Sequence, residues 1–198
     1  MTTTVSRREA LTRFGIVAVV VLGLDIVTKV AAVAWLPPAE PVPLFGEVLQ
    51  LYLIRNPGAA FSMGEGVTWV FTLLAVAVLV FLLSYVVPRL RHGGWAVAVG
   101  LVVAGVAGNL IDRLFREPGF AQGHVVDFLR LPYWPIFNIA DMGVVCGAIL
   151  IVYLWLVKGV GYDGVLERDR DKAAAQDADT TVEDSHEPQP STKSEREA

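Results

Sequence analysis

The sequence predicts an α-helical integral membrane protein, with four transmembrane helices carrying a small extracytoplasmic β platform. Three observations lead there. The 198-residue chain is 54% hydrophobic and 18% charged, too apolar for a soluble domain of this length. Four stretches, at about 14–36, 68–88, 93–112 and 139–158, each come close to the roughly 20 apolar residues that cross a hydrocarbon core. The segments between spans one and two and between spans three and four hold β-branched and aromatic runs rather than plain linker.

Charge divides the chain. From Tyr162 onward there are 11 acidic and 5 basic residues, whereas residues 1–161 hold 9 acidic and 11 basic ones. The formal net charge of −4 therefore reflects the end of the chain, and 159–198 reads as a disordered cytoplasmic tail without apolar periodicity. Residues 1–13 read as a polar cytoplasmic start, and 14–158 as the working domain. Arg7, Arg8, Arg13, Arg89, Arg91 and Lys158 all fall on one side of the four spans. The positive-inside rule makes that side cytoplasmic, with both termini on it. Arg55, Arg113, Arg116 and Arg130 then lie outside against the rule, which hints at work for them there.

Span one contains Asp25 and Lys29, four residues apart on one helix face and able to pair. The basic start and Ala32-Val33-Ala34 resemble a cleaved signal peptide, but Asp25 and Lys29 interrupt the apolar run before that site. The span is therefore read as uncleaved. Pro37, Pro38, Pro41 and Pro43 end it. Residues 47–54 have strand composition, Arg55-Asn56-Pro57-Gly58 has turn chemistry, and the whole 37–67 loop is too long to be a mere connector. Span two carries no charge and reads as scaffold. Span three has small residues at Gly100, Ala104 and Gly108, spacings that let helices approach closely. Its outer end presents Asn109, Asp112 and Arg113 on one face. Residues 124–131 read as a second strand, carrying Asp127. Asn138 is placed to cap span four, with Asp141 on the same face. Cys146, the single cysteine, reads as a small apolar-segment residue.

Asp112, Asp127 and Asp141 thus collect at the outer interface. Carboxylates are costly there unless used. Two of them close together cannot both ionise easily, so one keeps a proton and the pair can act as general base and general acid on one water. Residue types alone leave open which two form that pair. Asn56, Asn109, Asn138 and Arg113 are available to orient a peptide or an oxyanion. His92, His124 and His186 are scattered and no H-E-x-x-H occurs, so no zinc site or other cofactor is expected. Ser62 with His124 lacks a supporting motif, and nothing suggests nucleic acid. A small transporter would show internal repeats and midplane charges. A non-catalytic assembly protein would not need three aspartates with asparagines at helical spacing.

Five pieces in order carry a resemblance: Asp25-Ile26-Val27-Thr28-Lys29, Asn56-Pro57-Gly58-Ala59-Ala60-Phe61, Gly108-Asn109-Leu110-Ile111-Asp112-Arg113, Val125-Val126-Asp127-Phe128 and Phe137-Asn138-Ile139-Ala140-Asp141. Over about 14–158 the chain resembles the bacterial lipoprotein signal peptidases (signal peptidase II). The resemblance implies an inner-membrane aspartic endopeptidase. Its substrates are diacylglyceryl-modified prolipoproteins, cut before the lipidated cysteine, with the active site facing outward and membrane lipids around a monomer. It implies Asp127 and Asp141 as the catalytic pair and Asp112 as a support partnering Arg113. Asp25, Lys29, Asn56, Gly58, Ala59, Gly108, Asn109, Arg113, Asn138 and Ala140 fall on its substrate-binding or site-supporting motif positions. Two departures stand out: Pro57, where the family often has a small or β-branched residue, and a short Asp127–Asp141 spacing.

Overall fold

A computed structural model describes residues 4–58 and 68–172. Four helices are long and apolar enough to cross a membrane. Helix α1 spans Arg7–Trp35, with the Ser6 side chain accepting from Glu9 N–H at its start. The helix thus begins before the expected span, its first turns carrying the arginines. Helix α2 covers Thr68–Phe81 and runs on through one π turn and one 3-10 turn to Arg89. Helix α3 covers Gly93–Phe115, and α4 covers Ile139–Val152 and continues to Val157.

Helix α3 is the central element, packed against α1, α2 and α4 and far more buried than the others. The other three turn apolar side chains such as Val19, Leu73 and Ile149 outward, as lipid-facing helices do. The small residues on α3 meet a matching pair on α4. A Cβ on Gly147 would come within 2.8 Å of Ala98 O, and one on Gly143 within 3.0 Å of Leu101 O. Gly105 lies as tightly against the backbone of Ala140. The α3 face was legible from its spacing; Gly143 and Gly147 on α4 complete it.

The segments joining α1 to α2 and α3 to α4 build one sheet. Strands β1 (Val42–Phe45), β2 (Leu49–Asn56) and β3 (Val125–Arg130) lie in that order, all antiparallel. The composition does not predict strand β1, because Pro43 reads together with Pro37, Pro38 and Pro41 as a helix terminator. At a sheet edge proline is tolerated, and β1 is the edge. Leu53, Val126 and Phe128 pack with Ala32, fixing the platform to the outer end of α1.

At the opposite end three segments meet. Val5 N–H donates to Arg91 O at 2.9 Å, Arg91 N–H to Tyr162 O at 3.0 Å, and Trp95 Nε1–H to Val160 O at 2.8 Å. The two ends of the described chain therefore share one side of the bundle. The charged composition predicts a disordered tail from 159 onward. Instead, residues 159–172 fold back, with Val160 bridging Leu166 and the Tyr162 ring edge-on to Trp95 at 6.1 Å. Those few apolar side chains suffice to dock a segment whose overall composition is charged. Residues 173–198 lie outside the described residues.

Gly147→Val should weaken α3–α4 packing by about 1–3 kcal/mol, the usual effect of overpacking. Gly23→Ala, where a Cβ meets nothing within 4 Å, should be neutral or slightly stabilising. Thermal midpoints in detergent compare them; equal midpoints would contradict the packing.

Candidate active site

Asp127 sits in the middle of β3, paired opposite Ile54 of β2, and is 2% exposed. Its carboxylate is held from two directions. Asn56 Nδ2 at the end of β2 donates to Oδ2 at 2.9 Å, and Asn138 Nδ2 donates to Oδ1 at 2.7 Å. Burial, reinforced by the nearby charge of Asp141, pushes the Asp127 carboxyl up to about 7, although the two amide hydrogen bonds pull the other way.

Asp141 belongs to the first turn of α4. Asn138 caps that helix: its Oδ1 accepts from Asp141 N–H at 2.9 Å, while Asp141 Oδ2 accepts from Asn138 N–H at 3.0 Å. The remaining oxygen, Oδ1, accepts from Asn109 Nδ2 of α3 at 2.8 Å. Asn138 therefore bonds both carboxylates, Asp127 through its side chain and Asp141 through its backbone.

Behind this pair lies a buried charge cluster. Lys29 Nζ is 2.9 Å from Asp25 Oδ2, 3.0 Å from Asp112 Oδ2 and 3.0 Å from Asn109 Oδ1. Asp25 Oδ1 accepts from Ala140 N–H at 2.9 Å, and Asp112 Oδ2 also accepts from Val126 N–H at 3.2 Å. Asn109 Oδ1 further accepts from Asn138 Nδ2 at 3.1 Å, linking the cluster to the two carboxylates. Gly108 lets the Asp25 carboxylate lie directly on α3, where any Cβ would collide with it.

Arg113 does not partner Asp112, as the resemblance implies it would. Its Nη2 donates to Gly58 O at 3.3 Å, and its guanidinium lies over the Phe71 ring at 5.5 Å. Asp112 pairs with Lys29 and with Arg116 instead of Arg113. The reason is helical geometry: Arg116 follows Asp112 by four positions and reaches the same face, whereas adjacent residues diverge. A groove of about 330 Å³ opens from Arg113, Asn109 and Asp141 toward the lipid side between α2, α3 and α4, floored by Phe71, Leu74 and Val78.

The family model for signal peptidase (SPase) II matches residues 17–157. The chain belongs to the signal peptidase II family. The lipoprotein signal peptidase of Rhodococcus jostii is 52% identical over 149 residues, 75% of this chain and 74% of that protein. That of Mycobacterium tuberculosis is 52% identical over 155 residues, 78% of this chain and 76% of that protein. A bacterial membrane enzyme solved by the in meso method at 2.3 Å superposes with a TM-score of 0.67 at 28% identity, covering 80% of this chain and 93% of that one. A second such structure, at 1.9 Å, gives a TM-score of 0.65, also at 28% identity. Four membrane-length helices and this membership make it a bacterial inner-membrane protein.

Within this signal peptidase II chain, Asp25, Lys29, Asn56, Gly58, Gly108, Asn109, Asp112, Arg113, Asp127, Asn138, Ala140 and Asp141 all gather at one end of the bundle. Ala59 lies outside the described residues. Several participants carry no motif. Thr68 donates to Pro57 O and Thr72 to Ala121 O, so α2, which read as plain scaffold, braces both outer loops. Thr68, Phe71 and Thr72 share a helix face, the one signal that pointed to them. Among the described residues no group of His, Cys, Asp and Glu is arranged to hold a metal.

Lys29→Met leaves Asp25 without its cation in an apolar bundle. Breaking one partner out of a buried pair destabilises by about 3–5 kcal/mol, so the thermal midpoint in detergent should collapse. A midpoint close to that of the unaltered protein would contradict the structural role assigned to Lys29.

Proposed function

We propose that this chain is an aspartic endopeptidase that removes the signal peptide from prolipoproteins by cleaving before a diacylglyceryl-modified cysteine, with Asp127 and Asp141 as the catalytic pair. The observation that carries the reading is the single residue, Asn138, holding both carboxylates while Asp127 is raised to about 7. Near neutral pH Asp127 then keeps a proton. Asp141 takes a proton from water as the oxygen attacks the scissile carbonyl, and Asp127 delivers its proton to the carbonyl oxygen. Collapse of the tetrahedral adduct breaks the C–N bond as Asp141 passes its new proton to the departing amine of the cysteine, and Asp127 regains a proton from an adduct hydroxyl, as two unequal carboxyls allow.

The surroundings support the substrate class. A signal peptide is a short apolar helix, and the lipid-facing groove under Asp141 is apolar along most of its length. Arg113 Nη1 is buried without a partner among the described residues, at the mouth of that groove, and is suited to a substrate carbonyl. Asp25, Lys29 and Asp112 are absorbed in mutual pairing, which favours a fixed scaffold over a carrier with mobile charges. The arginine distribution supports cytoplasmic termini and an outward-facing site.

Asp127→Asn and Asp141→Asn should each abolish cleavage of a diacylglyceryl-modified prolipoprotein in proteoliposomes while the protein stays folded. Retained cleavage in both would refute the pair; retention in Asp127→Asn alone would transfer the role to Asp112. The pH profile follows from the raised carboxyl. Below about 7 Asp127 is protonated and active, and above it the proton is lost. Turnover should therefore fall as pH rises through that value, and a rate still climbing beyond pH ~8 would contradict the assignment.

A further inference from the structure

A second groove, about 760 Å³, lies on the outer face of the platform, lined by Tyr52, Ile54, Arg55, Asn56, Arg130 and Trp134 among others. It shares Asn56 with the site, and Asn56 holds Asp127. The lipid-facing groove shares Asp141. Each groove thus touches the site, the cationic, aromatic one at Asn56, which holds Asp127, and the apolar one at Asp141. A chain laid through both passes the pair once, with its apolar part on the lipid side. Arg55 and Arg130 are exposed, and neither has an acidic partner within 4.0 Å among the described residues. The Arg130 guanidinium is already seated 5.0 Å over the Tyr52 ring, which limits its freedom. Both arginines sit on the outer sheet against the inward bias of basic residues.

We propose that this outer groove holds the first residues of the mature chain beyond the lipidated cysteine, and that Arg55 and Arg130 favour acidic side chains there. The inference rests on the peptidase reading and extends it to specificity. A phospholipid headgroup would also suit two arginines and a tryptophan, but the continuity through Asn56 to Asp127 favours the substrate chain.

The test uses the full-length protein in vesicles of zwitterionic lipid. Three lipidated substrates are identical except for paired Asp, Asn or Lys at the second and third positions after the cysteine. At low salt kcat/KM should rank Asp above Asn above Lys, with the extremes differing by about fivefold, as exposed ion pairs allow. The ratio should approach one at roughly 1 M salt, where screening is strong. The double variant Arg55→Glu with Arg130→Glu should reverse the ranking, a comparison made within one protein and so independent of its overall activity. Equal rates on all three substrates, or a ranking unchanged in the double variant, would overturn the groove assignment and leave the peptidase reading standing. An effect of charge reversal that follows added phosphatidylglycerol instead of substrate charge would assign the groove to headgroups and likewise overturn it. Cleavage of none of the three by the unaltered protein would overturn the peptidase reading beneath it.

Discussion

An ammonium group 1% exposed in an apolar bundle must be met by oxygen atoms, and Lys29 is met by three side chains, from Asp25, Asp112 and Asn109. That requirement orders the outer half of the molecule. Asp25 reaches on to Ala140 N–H at the start of α4, and Asp112 reaches on to Val126 N–H of β3. One cation on α1 thereby fixes the positions of α3, α4 and the platform relative to one another. An isolated charge in such a place would be prohibitive, so the same residues that tolerate Lys29 also determine where Asp127 and Asp141 sit.

The two carboxylates inherit their inequality from this arrangement. Asp127 is on a strand with both neighbours buried and its oxygens facing amides. Asp141 is in the first turn of a helix, at the mouth of a groove. Asn138 joins them without equalising them, since it offers an amide to one and backbone to the other. Identical functional groups are thereby placed in different surroundings, which is what a pair acting once as acid and once as base requires. The two grooves also touch the site at different residues, the apolar one at Asp141 and the platform one at Asn56.

Much of this was legible in the sequence. The four spans follow from apolar length, the Asp25–Lys29 pairing from spacing, and the Asn138 cap from residue type. Asp127 and Asp141 could be placed at one interface because one precedes a span and the other opens it, but choosing them over Asp112 took the family resemblance. What escaped the sequence is mostly contact between distant segments. Nothing local marks β3 as the partner of β2, since that pairing is decided across more than 60 residues; β1 pairs with the nearby β2, and there it is the proline that obscures the strand. The pairing of Asp112 with Arg116 over Arg113 depends on rotation about α3, a matter of geometry that adjacency in sequence obscures. The bracing threonines of α2 and the docking of Tyr162 on Trp95 likewise depend on what lies opposite them.

The central claim is that Asp127 holds the proton because of burial and the charge of Asp141. Carbon-13 labelling of the aspartate carboxyls in the folded protein, followed by NMR across pH, reads that proton directly and without substrate. The account predicts a carboxyl signal that vanishes in Asp127→Asn, titrates near 7 in the unaltered protein, and shifts its midpoint downward in Asp141→Asn. An Asp127 signal titrating near the ordinary aspartate value of about 3.9, or one indifferent to loss of the Asp141 charge, would contradict it.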